Sequence, residues 1–257
     1  MERIDVGGVE IEVQRLKAGS GRPRAPLVFL HEGLGSVAMW RDWPARLCQA
    51  CGREGIVYSR RGYGGSDPVP DVRGTGRLQP DYLHREALEV LPALLDELDV
   101  EDPVLLGHSD GGSIALLHAS HFPVSACVVM APHVIVEDIS VRSIEQAREA
   151  FESGGLRERL SRFHADVDNA FWQWNDIWLD PRFRAFDIRA ECRRIAAPVL
   201  ALQGLDDPYG TLRQIDEIAP TQGPFEKVQL PACGHSPHKD QAQATTGHIV
   251  RFLADLP

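Results

Sequence analysis

A serine in a short glycine-rich turn has the setting in this chain that best suits chemistry. The motif Gly107-His108-Ser109-Asp110-Gly111-Gly112 follows the apolar run 103–106 and precedes the apolar, helix-like run 113–119. A G-x-S-x-G motif between a strand and a helix forms a tight turn that presents the serine hydroxyl at the end of the strand. The sequence therefore predicts Ser109 as a nucleophile at the carboxyl edge of a sheet.

A serine hydroxyl is a weak nucleophile at neutral pH, so it needs a general base that a carboxylate orients. Asp206 and Asp207 follow a predicted strand at 198–204, and His235 and His238 follow the next one. The order serine, acid, histidine along the chain is the order that accompanies a nucleophile on a strand-to-helix turn. One acid and one histidine are therefore expected to join Ser109 at the same sheet edge.

These motifs resemble those of the α/β-hydrolase superfamily, and the resemblance covers nearly the whole chain. Residues 27–40 look like the oxyanion loop of that family, and residues 60–67 look like its next strand-to-loop signature. In the family the acid lies three residues after the glycine that ends its strand, which implies Asp207 rather than Asp206. The same comparison implies His235, which stands in a Gly-His pair, rather than His238.

The resemblance also implies an oxyanion hole made by the backbone N–H groups of Gly33 and Asp110. These groups would receive the charge that develops on the carbonyl oxygen of a substrate. Glu32 stands where relatives usually carry a glycine, and this departure leaves the register and the polarity of the loop open. His31 is expected to brace the loop as a structural histidine.

Asp110 is the residue that bears most directly on the substrate. A carboxylate beside the nucleophile opposes an anionic substrate at close range. The turn resembles that of amino-acid-ester hydrolases of the valacyclovir type, whose acidic residue at this point meets a substrate amine, and this implies cationic or hydroxylated substrates. The alternative is a local hydrogen bond or salt bridge away from the pocket, with Arg60 or Arg61 as the partner.

The alternation of strand and helix patterns predicts an α/β fold with a mostly parallel, doubly wound sheet. Residues 1–132 and 198–257 are assigned to the hydrolase core, and residues 133–197 to a helical cap inserted in it. Residues 9–13 alternate as an outer strand does, and Asp81 is a candidate cap for the following helix. Short apolar runs predict buried parallel strands at 27–30, 56–59, 104–106, 127–130 and 199–202.

The aromatic residues of the predicted cap are candidates for substrate contacts. They are concentrated between Phe171 and Phe186, which predicts an apolar roof above Ser109. One or two of Trp172, Trp174 and Trp178 are expected to touch the substrate. The alternative is that these side chains only pack the cap onto the core.

Composition restricts the class of protein further. The net charge of -10 argues against nucleic acid as a partner, because the phosphate backbone demands a basic surface. No apolar window approaches the length of a membrane span, and the first residues lack the pattern of a signal peptide, so we expect a cytoplasmic protein with no membrane partner. The five cysteines show no metal-site spacing, and no phosphate-binding loop is present, so neither a metal nor a cofactor is expected.

Taken together, the sequence predicts a cofactor-free serine hydrolase that acts on a small to medium carboxylic ester, lactone or thioester through an acyl-enzyme on Ser109. The expected partner is a small-molecule substrate, and a homo-oligomer is left open. A carbon–carbon bond hydrolase, an aminopeptidase and a perhydrolase are alternatives, because one fold hosts all of these activities. A ligand receptor with negligible turnover is the alternative outside enzymes.

Overall fold

The computed structural model describes residues 1–17 and 24–256, and in that part of the chain eight strands form one sheet. Their order is β1-β2-β4-β3-β5-β6-β7-β8, with parallel pairing from β4 through β3 to β8 and antiparallel pairing at the β1–β2 edge. The predicted α/β fold with a mostly parallel sheet is confirmed. The strands are β1 (Glu2–Asp5), β2 (Glu10–Leu16), β3 (Leu27–Leu30), β4 (Gly55–Tyr58), β5 (Val104–His108), β6 (Ala126–Met130), β7 (Val199–Gly204) and β8 (Phe225–Leu230).

The central strands form where the sequence has continuous apolar runs. Every residue of β3, β5, β6 and β7 is buried, because helices cover both faces of the sheet and no solvent-facing side remains. The edge strand β1 was not predicted. Its mostly exposed and charged residues carry little hydrophobic signal, and its place is set by pairing with β2.

The sheet divides the core into two apolar clusters, one on each of its faces, and helices cover both. Trp43, Leu47 and Ile249 belong to one cluster, while Leu94 and Ile114 belong to the other. Among the described residues, no helix is both long and apolar enough to cross a membrane. The helices outside the predicted cap are α1 (Trp43–Cys51), α2 (Tyr82–Arg85), α3 (Leu91–Glu97), α4 (Asp110–Ala119), α9 (Arg213–Asp216), α10 (Pro237–Asp240) and α11 (Ala242–Leu253).

A π-helical turn, Glu86–Val90, joins α2 to α3. Pro92 lacks an N–H and cannot continue the α-helical pattern of hydrogen bonds. Just before it, the Leu91 N–H bonds to the Glu86 carbonyl, five residues back, instead of to the residue four back. Asp81 does precede α2, but its side chain makes no capping hydrogen bond, so the predicted capping role is wrong. The helix begins instead where Tyr82 and Leu83 become buried.

The segment between β6 and β7 is built from helices, as its apolar spacing predicts. An isolated antiparallel bridge pairs Ile135, near its start, with Asp187, which precedes its last helix. The Asp166 side chain accepts a hydrogen bond from the Asn169 N–H and caps the helix that carries the tryptophans. We call residues 133–197 the inserted segment. Its helices are α5 (Asp138–Ser153), α6 (Leu156–Leu160), α7 (Val167–Trp178), a 3₁₀ turn (Pro181–Ala185) and α8 (Arg189–Cys192).

Candidate active site

Ser109 lies in the tight turn between β5 and α4, with φ 53° and ψ −117°. Its flanking glycines are required by close backbone contacts. A Cβ at Gly107 would lie 2.2 Å from the carbonyl oxygen of Gly111, and one at Gly111 would lie 2.1 Å from that of Leu30. A positive φ at a residue other than glycine costs about 1–3 kcal/mol, which the surrounding packing must offset. The turn therefore has the strained geometry that the G-x-S-x-G motif predicts.

A series of hydrogen bonds joins Ser109, His235 and Asp207. Ser109 Oγ lies 2.9 Å from His235 Nε2, and His235 Nδ1 lies 2.9 Å from each carboxylate oxygen of Asp207. An ionised carboxylate only accepts hydrogen bonds, so Nδ1 carries the proton and Nε2 is free to accept from the serine hydroxyl. This arrangement can remove the proton of Ser109 as its oxygen attacks.

Buried donors hold the Asp207 carboxylate in place. The N–H of Tyr209 donates to Oδ1 at 2.8 Å, and the amide of Gln203 donates to Oδ2 at 2.6 Å. Burial alone would raise the pKa of Asp207, but the hydrogen bond and charge of His235 and the Tyr209 N–H outweigh it, and the pKa lies below its ordinary value. The structure thus brings Asp207 to His235, whereas Asp206 is exposed.

His238, the alternative base, lies away from Ser109 in a different environment. It packs against Trp40 and Trp43, with ring centroids 4.7 and 5.4 Å away. Neither ring nitrogen has a hydrogen-bond partner among the described residues. Burial, followed by the charge of His108, holds the pKa of His238 well below its ordinary value, so the ring is neutral.

The side chains of Tyr209 and His133 also lie at this site, and the sequence analysis did not predict them. The ring centroids of Tyr209 and His133 lie 4.7 and 5.8 Å from that of His235. Tyr209 follows Asp207 by two residues, and His133 follows the end of β6, so position after a strand end was the signal that could have found them. The Nδ1 atom of His133 is buried without a partner among the described residues, and burial with the charge of His235 lowers its pKa to about 3.

The predicted oxyanion loop lies directly beneath the inserted segment. A Cβ at Gly33 would lie 2.1 Å from Nε1 of Trp174, so only glycine fits under that indole ring. The N–H of Asp110 lies in the first turn of α4, where N–H groups have no partner within the helix. The proposed donors, Gly33 and Asp110, therefore belong to the two segments that flank Ser109.

His31 braces the loop, as expected. Its Nε2 accepts a hydrogen bond from the Arg60 N–H at 2.9 Å, and its Nδ1 donates to the Glu32 carbonyl at 2.6 Å. Burial and the Arg60 charge hold the pKa of His31 well below its ordinary value, which keeps the ring neutral and able to make both bonds. The ring thus ties the loop to the end of β4.

The side chain of Asp110 is almost fully enclosed, with 1% of its surface exposed. Its Oδ2 accepts a hydrogen bond from the Tyr82 hydroxyl at 2.9 Å, and its Oδ1 accepts one from the Trp178 indole at 3.2 Å. Arg60 lies 3.6 Å from Oδ2. The structure therefore favours the local-pairing alternative, with Arg60 as the partner, over contact between this carboxylate and a substrate amine.

The three candidate tryptophans of the inserted segment have different surroundings. Trp174 covers Gly33, and the Trp178 ring lies 4.8 Å from that of His133. The face of Trp172 is instead covered by the Arg73 guanidinium, 3.9 Å from the ring centroid. The structure brings Trp174 and Trp178 against residues beside Ser109 and places Trp172 in a cation–π contact.

The chain matches the model of the alpha/beta hydrolase family over residues 27–246, and it belongs to that family. It is 30% identical over 164 residues to the non-heme chloroperoxidase CPO-A1 of Kitasatospora aureofaciens, a match that covers 61% of this chain and 54% of that protein. It is 24% identical over 257 residues to the mouse sn-1-specific diacylglycerol lipase ABHD11, covering 89% of this chain and 80% of that enzyme.

A solved structure with the same fold is the enol-lactonase of Burkholderia xenovorans LB400. The two share 19% sequence identity with a TM-score of 0.75, and the superposition covers 98% of this chain and 100% of the lactonase. Other proteins similar to this chain include esterases, lipases and peptidases. The family and the fold indicate a hydrolase.

Proposed function

We propose that this protein is a serine hydrolase that cleaves a carboxylic ester, lactone or thioester through an acyl-enzyme on Ser109. The observation that carries this proposal is the unbroken series of 2.9 Å contacts from Ser109 Oγ through the His235 ring to Asp207. These contacts support the orientation that nucleophilic attack requires.

Acylation follows from these contacts. Ser109 Oγ attacks the acyl carbon while its proton moves to His235 Nε2, and Asp207 stabilises the resulting imidazolium. The tetrahedral intermediate then collapses, the bond to the leaving oxygen or sulfur breaks, and Nε2 gives its proton to the leaving group. Water repeats the sequence on the acyl-enzyme, with His235 as the general base, and releases the acid.

The oxyanion of each tetrahedral intermediate would be held by the N–H groups of Gly33 and Asp110. Preorganised donors of this kind commonly contribute a factor of about 10²–10³ to kcat. Trp174 shields Gly33 from above, and exclusion of water strengthens such hydrogen bonds. In this proposal residues 133–197 act as a cap over a core formed by residues 1–132 and 198–257.

The surroundings of the serine support an uncharged, partly apolar substrate. Trp174, Trp178 and Tyr209 supply aromatic surface near the reacting groups. The Asp110 carboxylate is occupied by Tyr82 and Trp178, so it supplies no free anion for a substrate cation. The similarity to a diacylglycerol lipase and to a lactonase fold supports ester and lactone substrates.

Covalent labelling tests the nucleophile without knowledge of the natural substrate. A fluorophosphonate should add one phosphonyl group per chain, as measured by intact mass, with fluoride leaving and Ser109 identified by peptide mapping. Ser109→Ala should abolish both labelling and turnover on a panel of esters, lactones and thioesters. Ser120→Ala, which changes a serine at the far end of α4, is the matched control and should retain both. Labelling or turnover that survives in Ser109→Ala would contradict the proposal.

A further inference from the structure

A second carboxylate–imidazole pair lies beside the proposed catalytic residues, and it is formed by Glu32 and His108. His108 immediately precedes Ser109 at the end of β5, and Glu32 immediately precedes Gly33 in the oxyanion loop. Glu32 Oε2 lies 3.4 Å from His108 Nδ1, and His108 Nε2 lies 2.6 Å from the backbone carbonyl oxygen of His235. The pair thus reaches from the oxyanion loop to the proposed base.

The carbonyl of His235 fixes one proton of this pair. A carbonyl oxygen only accepts, so His108 Nε2 must carry a proton and donate it to His235. A second proton on Nδ1 would face the Glu32 carboxylate, whereas a bare lone pair there would face its negative charge. With Glu32 ionised, a proton on Nδ1 is the arrangement in which the carboxylate and the ring pair with each other.

The charges around the pair agree with an ionised Glu32. Burial opposes ionisation of Glu32, but the close contact with His108 and its charge, followed by the charge of Lys239, hold the pKa of Glu32 well below the ordinary value. Lys239 Nζ lies 3.6 Å from Glu32 Oε1. His238, whose ring centroid is 4.9 Å from that of His108, is neutral, and the His235 ring lies 5.2 Å away.

Glu32 also organises the oxyanion loop from within. Its carbonyl accepts hydrogen bonds from the Gly35 N–H at 3.0 Å, from Arg60 at 3.1 Å and from His31 at 2.6 Å. Its side chain folds back so closely that a Cβ at Gly35 would lie 2.5 Å from Oε2. Glu32 therefore connects the loop that carries Gly33 to His108 in the nucleophile turn, and through His108 to His235.

We infer that Glu32 and His108 are positioning residues, which form a charged pair that fixes the backbone of His235 relative to Ser109 and Gly33. The inference rests on the proposed function. Neither residue touches the reacting atoms. The pair fixes the position of the His235 backbone by a hydrogen bond to the His235 carbonyl oxygen. Asp207 fixes the rotation of the His235 ring by a hydrogen bond to Nδ1.

The first test observes the protons directly. In protein labelled with ¹⁵N-histidine, NMR at pH 7 should show His108 with both ring nitrogens protonated, and His108→Gln assigns the signal. In Glu32→Gln the Nδ1 proton should be lost while Nε2 stays protonated. A purely structural contact would leave the protonation of His108 unchanged on this substitution. A singly protonated His108 in the wild type would overturn the charged pair.

The second test measures the rate at which a fluorophosphonate labels Ser109. Glu32→Gln should slow labelling about tenfold, since small misplacements of reacting groups are costly. Glu32→Asp, which keeps the charge, should recover part of the rate. Glu226→Gln, which removes an exposed carboxylate paired with Arg251, is the matched control and should react like the wild type. An equal rate in folded Glu32→Gln, verified by circular dichroism, would overturn the positioning role.

Failure of the proposed function gives a different result. In that case the wild-type protein itself does not react with the fluorophosphonate, or it reacts at a residue other than Ser109. Either result would overturn the positioning role together with the function. A wild type that reacts at Ser109 and a Glu32→Gln protein that reacts equally fast would overturn the positioning role alone.

Discussion

The indole N–H of Trp178 donates a hydrogen bond to Asp110 Oδ1 at 3.2 Å, so the last residue of α7 is joined to the first residue of α4. The same carboxylate binds Tyr82 and lies 3.6 Å from Arg60. Burial raises the pKa of Asp110, while the charge of Arg60 and the Tyr82 and Trp178 hydrogen bonds oppose that rise. Asp110 therefore connects the inserted segment to the nucleophile turn.

Asp110→Asn should destabilise the protein without changing its substrate preference. Loss of the carboxylate leaves the buried Arg60 guanidinium without this partner, and breaking a buried pair typically costs about 3–5 kcal/mol. The free energy of unfolding in urea measures this loss. The ratio of kcat/KM between amine-bearing and neutral esters should stay within about twofold of wild type, because two protein donors already occupy the carboxylate.

The exposed neighbour Asp206 supplies the control for that experiment. Asp206→Asn should change neither the free energy of unfolding nor the ratio of kcat/KM. A preference for amine-bearing esters that disappears in Asp110→Asn but persists in Asp206→Asn would show that Asp110 meets the substrate. That result would restore the interpretation based on amino-acid-ester hydrolases.

Replacement of Asp207 should act on kcat. Asp207→Asn keeps the shape of the side chain but removes the charge that fixes the proton on His235 Nδ1, and the wrong tautomer then faces Ser109. We expect kcat to fall by about 10⁴ with a much smaller change in KM. Steady-state kinetics on whichever panel ester is turned over measures both constants. A loss of less than about tenfold would mean that Asp207 does not orient the base.

The strain at Ser109 should be visible in stability. Glycine adopts positive φ freely, whereas alanine keeps the Cβ that makes φ 53° costly. Ser109→Gly should therefore be more stable than Ser109→Ala by about 1 kcal/mol, the lower end of the strain expected for such a residue. Thermal unfolding of the two inactive variants compares them directly. Equal stabilities, or a more stable alanine variant, would mean that the turn stores no strain.

A side chain at Gly33 should displace Trp174. The Cβ of Gly33→Ala would lie 2.1 Å from the indole Nε1, so the ring or the loop must move. If the loop moves, its N–H leaves the oxyanion position, and kcat should fall by about 10²–10³. The double variant Gly33→Ala/Trp174→Ala removes the clash and should recover activity relative to Gly33→Ala. No recovery would mean that the clash with Trp174 alone does not account for the lost activity.

The sequence predicted those parts of the site that depend on local geometry and chain order. The nucleophile turn needs small residues at 107 and 111 whatever surrounds it, so the motif alone located Ser109. Asp207 and His235 were found because each follows a strand of the same sheet. The choice of Asp207 over Asp206 came from the resemblance to a family, and the hydrogen bonds agree with it.

The remaining features depend on side chains that meet only in the folded protein. Asp110 meets Trp178 from 68 residues away, and His108 meets the His235 carbonyl from 127 residues away. Hydrophobic periodicity does not indicate such contacts. The hydrogen bonds of the Asp110 carboxylate and the Glu32–His108 pair could therefore be found only from the structure. The edge strand β1 was missed for a related reason, since its place depends on pairing with β2 rather than on burial.

Three buried histidines should make the protein sensitive to mild acid. Burial holds the pKa of His31 and His238 well below the ordinary value, and that of His133 falls to about 3. Between pH 6.5 and about 5 the unfolded chain gains protons at these positions and the native protein does not. These histidines therefore make the protein less stable as the pH falls, each by up to about 1.4 kcal/mol per pH unit.

Urea unfolding at several pH values from 7 to 5 measures how steeply the free energy of unfolding changes with pH. Substitution of single histidines then shows how much each one contributes to this slope. His133→Gln removes one buried site that cannot accept a proton, so the slope should become shallower by about 1.4 kcal/mol per pH unit at its steepest. His121 is an exposed histidine, and His121→Gln should leave the slope as in the wild type. A slope that His133→Gln leaves unchanged would mean that His133 binds its proton equally well in the native and the unfolded states.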